Sequence, residues 1–137
     1  EKEGFGSYPV LARMRSASLL AETDAEGAIN AFTAISKDSS VPQALRDAAR
    51  LRAAYLLVGT GTYEQVSAEV EQLATPQGAQ RHSAREVLGL SAYKHEDYAR
   101  AKEWFDAILN DSESPRNVEN RAQMLLDLIT ASGKLSS

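Results

Sequence analysis

The sequence holds no cysteine, two histidines (His82 and His95), four prolines and one tryptophan in 137 residues. Without cysteine there is no disulfide framework, no thiolate zinc site and no cysteine nucleophile. Two histidines leave a histidine-rich metal centre short of ligands, so neither a metal nor a cofactor is expected. Long hydrophobic runs are missing too. The longest nearly apolar stretch, Ala53 to Gly59, is far shorter than the roughly 20 residues that cross a bilayer. Basic charge is also scarce: 15 Lys and Arg against 19 Asp and Glu leave a net charge of −4. That balance argues against neutralising nucleic-acid phosphates, as does the lack of a basic stripe interleaved with aromatics.

What is present is ordinary globular material, 43% hydrophobic and 25% charged. A chain this long can remove about 68% of its unfolded surface from water, enough for one domain spanning residues 1–137. Strand-like alternation is almost absent, and punctuation cuts the chain into short helical segments. Pro9 opens a first helix reaching Glu22. Thr23-Asp24-Ala25-Glu26 has capping-box spacing for a second, and Ser40-Val41-Pro42-Gln43 starts a third. Gly59 and Gly61 stop that helix, and Thr62-Tyr63-Glu64-Gln65 repeats the capping spacing for a fourth that Pro76 and Gly78 end. A fifth helix is expected from about Gln80 to Lys94, a sixth from Asp97 to Leu109, and a seventh from Ser114-Pro115 towards Gly133.

An internal repeat organises these segments. Ala28, Phe32, Ile35, Asp38, Ser39 and Pro42 recur as Ala101, Phe105, Ile108, Asp111, Ser112 and Pro115, each 73 positions on. The match continues by pairing Leu45 with Val118, Ala49 with Ala122, Leu51 with Met124 and Leu56 with Ile129. Two helix–turn–helix units of about 34 residues plus a few loop residues give such a period. Leu88-Gly89, Tyr93, Asp97-Tyr98, Ala101 and Phe105 resemble the tetratricopeptide consensus at its offsets. The expectation is an all-α fold: a tetratricopeptide-like α-solenoid of three helical hairpins (9–41, 42–78 and 80–114) with a C-terminal capping helix at 115–132. Gly89 should then lie against Ala101, with Ser16, Ala28 and Phe32 repeating the small–small–large set in the first unit. Val66 and Val70 depart from that set in the second.

The stretches Ser39-Ser40-Val41-Pro42-Gln43 and Arg81-His82-Ser83-Ala84-Arg85-Glu86-Val87-Leu88-Gly89-Leu90-Ser91-Ala92-Tyr93 resemble the periplasmic domain of the ancillary SecYEG translocon subunit family (YfgM-like), in its alphaproteobacterial form. The likeness runs from Tyr8 to Ile129. It implies a soluble, non-catalytic interaction domain in the periplasm, tethered to the inner membrane by an upstream helix that this chain lacks. It also implies protein partners: the translocon and periplasmic chaperones.

The candidate chemistry is sparse. Gly59-Thr60-Gly61-Thr62 lacks the lysine and the preceding strand of a phosphate-binding loop and reads as a helix–helix turn. His82 and Glu86, one turn apart, are expected as a surface pair; a hydrolase built on them is the weaker alternative. The first helix of each hairpin should line a concave groove facing a protein or peptide partner, with Arg13, Arg52, Tyr55, Leu90, Tyr93 and Lys94 as its binding residues, beside Ala17 and Glu86. The plainer reading spends the arginines on Asp47, Glu86 and Glu22 and buries the tyrosines between hairpins. The last helix carries Met124, Leu125, Leu126 and Leu128 around much of its circumference. Burial against the third hairpin is expected, with self-association of the terminal helices, as in a homodimer, as the alternative.

Overall fold

The computed structural model describes residues 7–135, so the domain limits at 1 and 137 lie outside the described residues. These residues form an all-helical structure without strands. In chain order the helices are α1 (Ser7–Leu20), α2 (Ala25–Ser36), α3 (Gln43–Thr60), α4 (Tyr63–Val70), α5 (Arg81–Lys94), α6 (Tyr98–Leu109) and α7 (Arg116–Ser132). A single 3₁₀ turn, Glu71–Ala74, follows α4, so that regular helix stops well short of Pro76.

Local chemistry sets the helix ends. At α4 the capping box forms in full: Gln65 N–H donates to Thr62 Oγ1 at 3.1 Å and Thr62 N–H donates to Gln65 Oε1 at 2.9 Å. At α2 the cap is Asp24, not Thr23, because the Asp24 carboxylate accepts from Gly27 N–H at 2.9 Å. Asp97 does the same for α6. Pro42 and Pro115 occupy the N-cap positions of α3 and α7, each with extended ψ. Gly133 ends α7 with φ of 70°, the left-handed conformation that glycine adopts without steric cost.

Each helix packs on the next in sequence, and in addition α3 touches α5 and α5 touches α7. Three apolar clusters result. Phe32 and Ile35 gather Val10, Ala17, Ala49 and Ala53 between α1, α2 and α3. Leu51 and Ala54 meet Val66, Val70, Val87 and Leu88 between α3, α4 and α5. Phe105 and Ile108 gather Ala92, Val118, Ala122 and Ile129 between α5, α6 and α7. The two fully buried phenylalanines contribute about 2–3 kcal/mol each to this core. Tyr63 reaches both of the later clusters, and its hydroxyl accepts from Trp104 Nε1 at 2.8 Å, bracing α4 against α6. Among the described residues no helix is long and apolar enough to cross a membrane.

The repeat is visible as equivalent turns. Asp38 accepts from Ser40 N–H at 3.0 Å and Asp111 from Glu113 N–H at 3.0 Å, each carboxylate bridging its own loop. Arg13 donates to Asp38, and Arg85 donates to Asp111. These arginines are 72 residues apart, although the aspartates are 73 apart. The difference lies in the turns: residues 21–24 join α1 to α2, whereas 95–97, one residue fewer, join α5 to α6. The counterpart of Gly89 is therefore Ala17, which is buried, and not Ser16, which is exposed. The atoms nearest to Gly89 belong to Phe105, the next turn of α6 after Ala101. A Cβ built there would stand 2.5 Å from Phe105 Cε1 and 2.9 Å from Cζ.

Candidate functional site

Helices α3, α5 and α7 lie side by side, α3 and α7 each packing on α5, and one polar row crosses them. Glu86 at the centre of α5 is buried. Arg121 on α7 donates to both of its oxygens, Nε to Oε2 at 2.5 Å and Nη2 to Oε1 at 2.9 Å. From the other side the Tyr55 hydroxyl on α3 donates to Glu86 Oε1 at 3.4 Å. The carboxylate thus holds two exposed groups in place: the Tyr55 side chain is 41% exposed and that of Arg121 47%. Burial and the adjacent Glu86 charge push the Tyr55 phenol up to about 12. The carboxylate hydrogen bonds raise Arg121 further above its ordinary value. A bidentate arginine on a buried carboxylate is geometrically fixed, so the outer edge of the guanidinium is held in one orientation.

The other groove candidates are held by different neighbours. Arg13 pairs with Asp38 at 2.9 Å, on the side of the α2–α3 loop. Arg52 turns towards α1, donating to Ser18 Oγ at 2.8 Å with its guanidinium 5.0 Å from the Phe32 ring centre. Tyr93 is half-buried in the last cluster, its ring edge-on to Tyr98 at 5.6 Å. Lys94 donates to the Gly59 carbonyl at 2.8 Å, capping the C-terminal end of α3, and His95 contacts the Gly61 carbonyl at 2.9 Å. Leu90 is half-buried, and Ala17 lies in the first cluster rather than on a groove. Arg52, Tyr55 and Tyr93 are thus drawn towards α1, α5 and α6 by separate contacts, and Tyr55 is the member that joins the cross-helix row. Arg121 is not among the groove candidates because the sequence assigns the last helix to a cap. The repeat that makes α7 the counterpart of α3 carries the signal, since Arg121 lies one turn before Leu125 and two before Leu128, the counterparts of Arg52 and Tyr55.

His82 and Glu86 do not form the expected surface pair. Their side chains diverge: Glu86 goes to Arg121 and Tyr55, while His82 Nδ1 stands 3.3 Å from Ser114 Oγ and 3.9 Å from Asp111. A serine, a histidine and an aspartate therefore do meet, but one ring nitrogen faces both partners. A nucleophile–base relay needs the two nitrogens to face them separately. The Ser114 hydroxyl is also committed, donating to the Ile108 carbonyl at 2.6 Å. Asp111 is saturated by Arg81 Nε at 2.6 Å and Arg85 Nη1 at 2.8 Å, which hold its carboxyl well below the usual carboxylate range. This cluster ties the α6–α7 loop to α5.

Comparison with family models, with curated proteins and with solved structures returned no match.

Proposed function

We propose that this chain is a non-catalytic protein-binding domain, a tetratricopeptide-like array of three hairpins closed by α7. It would receive an extended peptide segment of its partner across α3, α5 and α7. The observation that carries the reading is the Tyr55–Glu86–Arg121 row. Tyrosine and arginine dominate interface hot spots, and here a buried carboxylate fixes both while leaving their outer edges open. The free edge of the guanidinium suits a partner carboxylate, and the phenol ring suits an apolar side chain beside it. By resemblance, the domain would work in the periplasm, tethered to the inner membrane, on proteins near the translocon and on chaperones there.

The test is an immobilised library of extended peptides graded in acidic content. Wild-type protein should favour carboxylate-bearing members. Tyr55→Ala with Arg121→Gln should weaken their retention by more than about 2 kcal/mol, roughly thirtyfold, with helicity unchanged. Equal retention by that variant would remove the site from this row. Compartment is tested separately, by fusing this segment and its natural upstream sequence to a reporter active only after export.

A further inference from the structure

The two ends of the helix array are made of counterparts of an interface that the molecule already uses internally. Inside the molecule, Leu51 and Ala54 of α3 pack on Ala84, Val87 and Leu88 of α5. The repeat places Met124 and Asp127 of α7 at the positions of Leu51 and Ala54. Leu51 is 9% exposed, whereas Met124 is 54% exposed and Leu128 nearby 49%, because among the described residues no further helix covers the outer side of α7. At the other end, the corrected register places Ala12, Arg15 and Ser16 of α1 at the positions of Ala84, Val87 and Leu88. There the outer side of α1 and α2 is an apolar cleft of about 410 Å³ whose lining includes Ala12, Ser16, Leu20, Ala31 and Ala34. Ala31 stands where α6 has Trp104, and it is small where Trp104 is large. By this register the cleft corresponds to the α5–α6 seat with its bulk removed, and Leu11 and Leu19 stand exposed on the same helix, α1.

We infer that α7 of one copy seats in the α1–α2 cleft of another, head to tail, as α3 seats on α5 within the chain. Charge commits the occupant. Ala54 and Val87 are both buried in the internal interface, and their counterparts at the two ends are Asp127 and Arg15, an opposite pair, both exposed. Met124 and Leu128 supply the apolar knobs for the cleft. Such a contact pairs two different surfaces, so it does not close at two copies and extends with concentration. It uses none of the Tyr55–Glu86–Arg121 row, so its failure leaves the peptide-binding reading standing, and the reverse holds too.

Sedimentation velocity of the chain over a dilution series tests it, with Arg15→Asp and Asp127→Arg as variants at exposed positions. The wild-type average mass should rise past two chains as concentration increases. Either reversal alone should move the association midpoint up by about tenfold or more. A one-to-one mixture of the two variants should restore it, because each then meets the opposite charge. A mass of one chain throughout would overturn the inference. So would a plateau at two chains, or loss on Asp127→Arg with Arg15→Asp unaffected, which marks a symmetric α7–α7 contact.

Discussion

Arg121 of α7 closes on Glu86 of α5 through two hydrogen bonds, and the two residues differ sharply in their access to water. Glu86 is buried and Arg121 is nearly half-exposed. The pair therefore fails asymmetrically when one partner is removed. Arg121→Ala leaves a buried carboxylate with the weaker Tyr55 contact alone and should cost about 2 kcal/mol, less than the roughly 3–5 kcal/mol of a fully buried pair because Arg121 is already half in water. Glu86→Gln leaves an arginine that water can reach and should cost less than about 1 kcal/mol. Urea denaturation of both variants checks the order. Glu86→Leu combined with Arg121→Ala should be more stable than Arg121→Ala alone, and the opposite order would mean that Glu86 is not held as described.

Gly89 and Phe105 define a second testable contact. A methyl group at Gly89 would meet a fully buried ring that cannot swing aside. Gly89→Ala gains about 1 kcal/mol of helix propensity and loses about 1–3 kcal/mol to overpacking, for a small net loss. Gly89→Leu should lose about 3 kcal/mol or more. Adding Phe105→Leu to Gly89→Ala should recover stability, and strict additivity in the thermal melts would deny the contact.

The loop aspartates give the fold an acid limit. Hydrogen bonds from the Ser40 hydroxyl, then from Arg13 and the Ser40 amide, lower Asp38 from 3.8 to about 2. A carboxyl with a depressed folded value contributes stability that is present above 3.8 and lost as pH falls through about 2. Asp111 behaves likewise and extends the loss further into acid. Melting temperature should therefore fall steeply between about pH 4 and 2, and Asp38→Asn should flatten the upper part of that fall. An unchanged slope in the variant would show that other carboxyls set it.

Tyr55 should ionise late, near pH 12, because burial and the Glu86 charge oppose the phenolate. Its value is raised from 10.0, so its share of stability is complete below pH 10 and is lost as pH rises through about 12. Absorbance titration should show one late phenol disappear in Tyr55→Phe. In Glu86→Gln that phenol should titrate earlier yet remain above 10, since burial persists. No movement in Glu86→Gln would separate the two side chains.

The all-helical class, the helix ends and much of the core are set by short-range chemistry and were readable one segment at a time. Thr62 and Gln65 cap α4 because both partners lie within one turn, and the repeat positions Phe32 and Phe105 are buried because helical period alone decides which face they share. Even here one inserted residue, in the turn at 21–24, moved the counterpart of Gly89 from Ser16 to Ala17, since a face changes with every residue of helix. Partners were another matter. Glu86 could have paired with His82 one turn away, but Arg121, 35 residues on, reaches it with a two-pronged guanidinium. Arg13, Arg52 and Lys94 sit where the sequence placed them on their helices, yet a loop carboxylate, a serine and a helix-end carbonyl take them. Periodicity reports the direction of a side chain from its own helix axis; which donor or acceptor waits there depends on the crossing of helices distant in the chain, and only the packed structure decides that.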